Sequence, residues 1–175
     1  MALTPEQAAV IFKSELRTLT AEQATTSRII EAIPPDRADF RPDPIAKTAF
    51  ELAWHLVSAE HLFLNAVASG SFDYDVAKRP DAVRTPLDVV AWYSEKFAAD
   101  ADRLKQASGE DLLKTIDFRG VRQMSALSFV QLALNHSVHH RGQLSMYLRP
   151  MGAKVPSIYG ESYDARQARE AAAKQ

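Results

Sequence analysis

Four long stretches of this chain repeat apolar residues at the spacing of an α-helix, and residues that start or stop helices bound each of them. The first begins at Thr4-Pro5, where threonine can cap and proline suits the first helical position, and it ends before Pro34-Pro35. The others run from about Thr48 to Ala68, from Thr85 to about Ala107 and from Ala126 to Met151. Four such helices of roughly 20–28 residues predict an all-α fold, a four-helix bundle.

Two of the connections between these helices are long, at roughly fifteen residues or more, whereas helix pairs joined as hairpins have short loops. Residues 34–44 read PPDRADFRPDP, and four prolines exclude a regular helix or sheet strand there. Residues 71–84, SFDYDVAKRPDAVR, also predict a loop. Before the last helix, DLLKTIDFRGVRQM predicts a short helical turn and then an extended piece at 115–118. The long connections argue against a simple up-down-up-down order.

Length and composition restrict the class of protein further. A chain of 175 residues predicts a single domain over residues 1–175, with a short flexible tail at about 161–175. The chain has no cysteine, which excludes disulfides, zinc–thiolate clusters and catalysis by a thiol of its own. A net charge of −1 gives no reason to expect a nucleic-acid partner. Because we find no signal peptide and no apolar run of about 18–20 residues, we expect a cytoplasmic protein with no membrane partner.

Histidines are concentrated in NHSVHHRGQ at residues 135–143, which holds three of the five in the chain. On a helix, residues four apart lie about 40° from each other and one turn apart, so His136 and His140 can direct two imidazoles at one point. Both continue the apolar stripe of the last helix. His139 points away from that stripe, and we expect it at the surface or at an interface.

The second helix supplies a third histidine that faces the core. His55 falls on the stripe of Leu52, Leu56 and Ala59, whereas His61 lies about 120° off that stripe and is expected at the surface. Three imidazoles from two facing helices can bind a divalent metal and leave positions open for water or substrate. Zinc or nickel fits imidazole ligands best, and iron or manganese is possible. The alternative is that each histidine is a hydrogen-bonded core residue.

Other residues near these histidines are candidates for supporting roles. Glu51 precedes His55 by one turn and is a candidate general base or a residue that orients an imidazole. The alternative is a solvated glutamate in the first turn, favoured by the helix dipole. Gln143 and Tyr147 follow His140 on the last helix and are candidates to line the pocket, although tyrosine at such a position is more often part of the core.

The order and spacing of these segments resemble the DinB/YfiT-like superfamily of bacterial four-helix bundles. The resemblance rests on AFELAWHLVSAE, on NHSVHHRGQLSMYLRPMGAKVPSIYG near the end, and on the RPDP loop before the first histidine helix. It implies an up-down-down-up bundle with long connections and a three-histidine metal site at His55, His136 and His140. It also implies frequent homodimers, for which Gly142 and His139 could form an interface.

The resemblance implies more than one possible activity. The superfamily is similar in fold to transferases that use bacillithiol, mycothiol or glutathione. We therefore expect a metal-dependent enzyme, either a thiol S-transferase or a hydrolase, that acts on a small-molecule substrate. With no cysteine in the chain, a low-molecular-weight thiol would have to enter as a cosubstrate. The alternative is a non-catalytic metal-binding or stress-related bundle.

Overall fold

The computed structural model describes residues 2–174. The two ends of the predicted domain, residues 1 and 175, lie outside that range. No helix within it is both long and apolar enough to cross a bilayer. Two single turns of 3₁₀ helix interrupt the long loops, at Pro35–Arg37 and Tyr74–Ala77. The helices and strands are α1 (Pro5–Glu31), α2 (Ala49–Ser69), α3 (Pro86–Leu104), α4 (Gly109–Leu113), β1 (Thr115–Phe118), β2 (Arg122–Ser125), α5 (Ala126–Leu148) and α6 (Tyr163–Ala172).

Reciprocal side-chain caps fix where four of the helices begin. The capping residues are Thr4, Thr48, Thr85 and Ser108, and in each case the side chain three residues later bonds back to the cap's backbone N–H. This satisfies two backbone donors that a helix start leaves free. At the far end of α2, Gly70 adopts φ 81, the left-handed conformation that glycine tolerates without strain. The start of α2 therefore has a fixed position, and His55 lies two turns into it.

Contacts between the long helices establish the predicted up-down-down-up order. Trp54 packs on Trp92 and His61 bonds to Asp100, so α2 and α3 run parallel. Helix α5 runs antiparallel to α2, because His55 meets His140 near one end of the pair and Phe63 meets Phe129 near the other.

Helix α1 runs in the same direction as α5. Its start lies beside α4, which leads through the strands into α5, and Glu22 farther along α1 pairs with Arg141 farther along α5. Helix α2 thus packs between α3 and α5, and α1 closes the bundle against the same two helices. The predicted four-helix bundle with long connections is confirmed.

The extended piece predicted at 115–118 is observed as β1, and it pairs with β2 as an antiparallel hairpin, with Thr115 opposite Ser125. One helix boundary differs from the sequence analysis. The last long helix ends at Leu148 rather than at Met151. Pro150 explains this, because a proline has no N–H with which to continue the helical hydrogen bonds. The chain then turns at Gly152, where φ is 78.

Candidate metal centre

Three half-buried histidines converge between α2 and α5, as the sequence analysis predicted. One potential ligand nitrogen from each of His55, His136 and His140 lies within 4.8 Å of the other two. His55 Nε2 is 3.2 Å from His140 Nε2. The ring centroid of His136 lies 5.0 Å from that of His55 and 4.3 Å from that of His140. The i,i+4 spacing on α5 and the antiparallel packing of α2 produce this convergence.

The distance between the two facing nitrogens suits a common metal ion. With bonds of about 2.0–2.1 Å, two imidazole nitrogens in a tetrahedral zinc site lie roughly 3.3–3.4 Å apart. The observed 3.2 Å is close to that edge length, and it also suits an N–H···N hydrogen bond between the two rings. Geometry at this pair is therefore consistent with both interpretations of the histidines.

Neighbouring groups favour the metal. Nδ1 of His140 lies 2.7 Å from Oε1 of Gln143 and donates to it, which leaves Nε2 of a neutral His140 without a proton. Nδ1 of His136 is buried and finds no hydrogen-bond partner within residues 2–174. A buried imidazole nitrogen left unpaired costs free energy, so a purely structural role leaves this cluster incomplete. The donor set fits a divalent metal with three protein ligands.

The electrostatic environment keeps these imidazoles neutral. Burial is the main cause that lowers the pKa of His55 to about 4 and of His136 to about 4, and the neighbouring imidazoles add to it. Burial also lowers the pKa of His140, although its bond to Gln143 opposes the change. Metal binding needs the neutral form, because a protonated nitrogen has no lone pair to donate. At neutral pH all three are ready to bind.

Glu51 lies at the rim of a cavity of roughly 510 Å³ into which His55 opens. Its Oε2 accepts a hydrogen bond of 2.8 Å from the backbone N–H of Thr48 and so completes the cap of α2. That bond is the main cause that lowers the pKa of Glu51 below its usual range. The carboxylate is thus near the candidate centre, ionised at neutral pH and engaged in capping. Whether it acts as a base stays a prediction.

Comparison with known proteins gives the family. The model of the DinB family matches residues 12–172, nearly the whole chain. The chain belongs to the DinB family. Among curated proteins, YjoA of Bacillus subtilis is 32% identical over 130 residues, which cover 73% of this chain and 82% of YjoA. YrdA of the same organism is 30% identical over 115 residues, which cover 65% of this chain and 66% of YrdA. The resemblance noted from the histidine segments is confirmed.

Solved structures, among them one described as DinB-like, share the fold. The crystal structure of YjoA from B. subtilis superposes with a TM-score of 0.71 at 25% identity and covers 85% of this chain and 99% of that one. YfiT from B. subtilis, described as a probable metal-dependent hydrolase with an unusual four-helix bundle topology, gives a TM-score of 0.63 at 14% identity. That match covers 87% of this chain and 92% of YfiT, and at such identity it shows the fold alone.

His61 of this DinB-family chain is not at the surface, and the prediction was wrong. It is buried, and its Nδ1 lies 2.5 Å from the buried carboxylate of Asp100 on α3. The error came from assigning α2 one buried stripe. Because α2 packs on α5 along one side and on α3 along another, its buried face is much wider. His139 is exposed, as predicted.

A buried carboxyl group that the sequence analysis missed lies one turn beyond His55. Glu60 is 2% exposed, and it accepts hydrogen bonds from Tyr93 of α3 at 2.6 Å and from Ser137 of α5. Burial raises the pKa of Glu60 to about 7. Charged residues in mid-helix are usually solvated, so sequence pattern alone gave no signal for it. Glu60 connects the two helices that carry the histidines to α3.

Arg141, the residue after His140, is also buried and was missed. Its guanidinium is 1% exposed, pairs with Glu22 of α1 and donates to the hydroxyl of Tyr159 at 2.5 Å. Tyr159 belongs to the segment after α5, and its hydroxyl in turn donates to Glu22 at 3.2 Å. This triad secures α1 and the chain after α5 directly behind the histidine cluster. Gln143 and Tyr147 were candidates to line the pocket. Gln143 bonds to His140, and Tyr147 packs edge-on against Phe40 at the edge of the core.

Proposed function

We propose that this chain is a metal-dependent enzyme of the DinB family that transfers a low-molecular-weight thiol to an electrophilic small molecule. The observation that carries the proposal is the convergence of three neutral, half-buried imidazoles beside a cavity open to solvent. A centre with three protein ligands and access to solvent is typical of catalytic sites, whereas structural zinc sites are closed by four protein ligands. We expect one small-molecule substrate, one thiol cosubstrate and a homodimer.

Zinc or nickel is the proposed metal, because imidazole suits both. A divalent ion held there supplies a Lewis acid that lowers the pKa of a bound thiol or water and stabilises negative charge in the transition state. The protein's contribution is to hold the three imidazoles neutral and oriented. Gln143 fixes the proton of His140 on Nδ1, and burial excludes protons from His55 and His136 at neutral pH.

The low basicity of the nearest carboxylate favours a nucleophile that loses its proton easily. Among residues 2–174, Glu51 is the one carboxylate that lines the cavity, and its lowered pKa makes it a weak base at neutral pH. A thiol has a pKa near 8.5 before binding, far below that of water, so it gives up its proton much more readily. Since the chain has no cysteine, this thiol arrives from solution.

The test is consumption of an electrophile, monochlorobimane, by metal-loaded protein with glutathione, cysteine, bacillithiol or mycothiol, and with no thiol. We expect turnover that requires both metal and thiol, and that falls at least about tenfold in His140→Ala. His139→Ala is the matched control, because this neighbour is exposed and outside the cluster. No thiol-dependent turnover with any thiol in the panel, bacillithiol and mycothiol included, would overturn the transferase assignment.

Hydrolysis is the second candidate, because YfiT, whose fold this chain shares, is described as a probable metal-dependent hydrolase. Turnover of activated esters or amides without a thiol would favour it. A metal centre with no turnover of either kind would leave the third possibility, a non-catalytic metal-binding bundle. Metal content measured on the same samples separates that case from a protein without any metal.

Glu51→Gln tests the predicted catalytic role of this residue. Glutamine at this position still bonds back to the cap, so α2 should begin as before while the carboxylate is lost. If Glu51 acts as a base, turnover falls at least about tenfold and its pH profile changes, with metal content unchanged. Unchanged turnover in Glu51→Gln would restrict this residue to capping the helix.

A further inference from the structure

The cavity beside the histidines carries a concentration of positive charge. Three cationic side chains line it, those of Arg41, Lys47 and Arg79, against the single carboxylate of Glu51. The whole chain, in contrast, has 21 basic and 22 acidic residues. Glu51 is already engaged by the backbone of Thr48. The excess of positive charge therefore belongs to this place and not to the protein as a whole.

These cations have no close ion-pair partner in residues 2–174, although the charges of Arg41 and Lys47 contribute to the lowered pKa of Glu51. None of the three forms an ion pair with a carboxylate of the described chain. Arg79 lies over the ring of Phe50, 5.1 Å from its centroid, and Arg41 makes one long bond of 3.5 Å to the carbonyl of Pro44. The guanidinium groups thus remain free to donate hydrogen bonds into the cavity.

Rigid backbone places two of the cations. The loop that carries Arg41 and Lys47 is tied to the start of α2, because Ala49 N–H donates to Phe40 O at 2.8 Å and Phe50 N–H donates to Ala38 O at 2.9 Å. Lys47 precedes the cap of α2, and its positive charge contributes to the lowered pKa of both His55 and His140. A positive charge beside a cluster that binds a cation does not favour the metal itself. It favours an anion that lies between them.

We propose that Arg41, Lys47 and Arg79 form an oxyanion-binding subsite, which holds a carboxylate or phosphate of the substrate while its reacting end lies at His55, His136 and His140. Guanidinium groups match the planar shape of a carboxylate and the oxygens of a phosphate. Trp54, which also lines the cavity, offers an apolar wall to the connecting part of the molecule. The subsite names the substrate class of the proposed enzyme and rests on that function, whereas anion binding itself can be tested separately.

Trp54 provides a local readout of binding in the intact chain. The protein has two tryptophans, so an amide spectrum of ¹⁵N-labelled protein has two indole N–H signals, and Trp54→Phe identifies the one in the cavity. We would titrate the protein as purified with succinate, with methyl phosphate and with neutral succinamide. Succinate or methyl phosphate should shift the Trp54 signal to saturation, and succinamide should not. The tighter of the two anions identifies the group.

Variants then assign the effect to the cations. Arg41→Gln, Lys47→Gln and Arg79→Gln should each weaken the anion about two- to fivefold, as expected for exposed charge pairs, and the double variant of the arginines should weaken it further. Arg17→Gln on α1 removes the same charge at an exposed position that does not line the cavity, and this variant should bind as the wild type does. Equal shifts with succinamide, or unchanged affinity in the three cavity variants, would overturn the subsite.

Failure of the subsite is distinguishable from failure of the metal centre. The same titration on His140→Ala, which we expect to lack the metal, should still give anion binding if the cations carry it. Loss of binding in His140→Ala with retention in the cation variants would mean that the anion binds the metal, and this result also overturns the subsite. A protein that contains no metal but binds succinate through the three cations would disprove the enzyme and keep the oxyanion site.

Discussion

At the scale of residues, metal binding depends on imidazoles that stay neutral at pH values below the usual pKa of histidine. Burial brings the pKa of His55 and His136 to about 4, so protons compete with a metal there only under quite acidic conditions. Ordinary histidines, with a pKa near 6.5, already meet competition from protons between about pH 6 and 7. The site should therefore be resistant to mild acid.

This gives a prediction for pH. Because the lowered pKa keeps His55 and His136 unprotonated down to about pH 5, we expect metal content to stay constant from pH 8 to about 5.5 and to fall below pH 5. The measurement is metal retained after dialysis against buffers of stepwise lower pH, with circular dichroism as a control for folding. Half-loss of metal near pH 6.5 with the fold intact would contradict the burial of these rings.

Glu60 predicts a loss of folding stability as pH rises, whereas the histidine cluster is expected to lose metal as pH falls. Its folded pKa of about 7 lies above the ordinary value of 4.5, so as pH rises from 4.5 to 7 the unfolded chain ionises first and the folded state loses stability. Glu60→Gln does not titrate. Its free energy of unfolding relative to the wild type should therefore rise across that window, on the order of 3 kcal/mol, as measured by urea denaturation at each pH. A difference independent of pH would contradict a buried, protonated Glu60.

Sequence reasoning reached the three histidines of the cluster because two of them obey a simple helical rule and the third lies on an obvious apolar stripe. It missed Glu60 and Arg141 and misplaced His61, for a common reason. A polar residue on a helix is assigned to solvent unless a partner is visible, and the partners here lie 33 to 119 residues away in sequence. Long-range pairing of polar groups does not appear in local periodicity.

At the scale of elements, the helix starts were predictable and the packing of the connections was not. Thr4 and Thr85 cap as their sequence indicated, because capping is a local interaction. The β1–β2 hairpin and the close approach of α4 to α1 depend on tertiary contacts. A Cβ added to Gly109 at the start of α4 would lie 2.1 Å from the carbonyl oxygen of Pro5, at the start of α1.

That approach predicts opposite effects of one substitution at two glycines. Gly109→Ala forces the backbones of α4 and α1 apart and should lower the free energy of unfolding by about 1–3 kcal/mol. Gly142→Ala, in the middle of α5 with open space around its Cα, should raise it by about 0.5–1 kcal/mol through helix propensity. Urea denaturation of both variants beside the wild type measures the two values. Effects of equal sign and size would contradict the close contact of α1 and α4.

At the scale of the whole molecule, a buried ion pair and a hydrogen bond join α1 and the segment after α5 to the helix that carries two of the histidines. Arg141 connects α5 to Glu22 on α1 and to Tyr159 in the segment after α5. The order of the four helices was predictable from the long connections and from the family resemblance. The triad was not, since it brings together three segments separated by long loops and helices.

Removal of the carboxylate that pairs with Arg141 should therefore lower the free energy of unfolding. Glu22→Gln leaves a buried guanidinium without its carboxylate, and we expect a loss of about 3 kcal/mol in the free energy of unfolding. Glu31→Gln, at an exposed position on the same helix, should change it by less than about 0.5 kcal/mol. Thermal and urea denaturation of the two variants provide the comparison. Similar small effects would mean that Arg141 finds its stabilisation elsewhere.

The metal centre proposed for this protein is one divalent ion held by His55, His136 and His140. Its most direct test is elemental analysis by mass spectrometry of untagged protein, with wild type beside His140→Ala and His139→Ala. We predict about one transition-metal ion per chain in the wild type and in His139→Ala, and almost none in His140→Ala. Absence of metal from the wild type after reconstitution with zinc and with nickel, or equal metal in all three proteins, would contradict it.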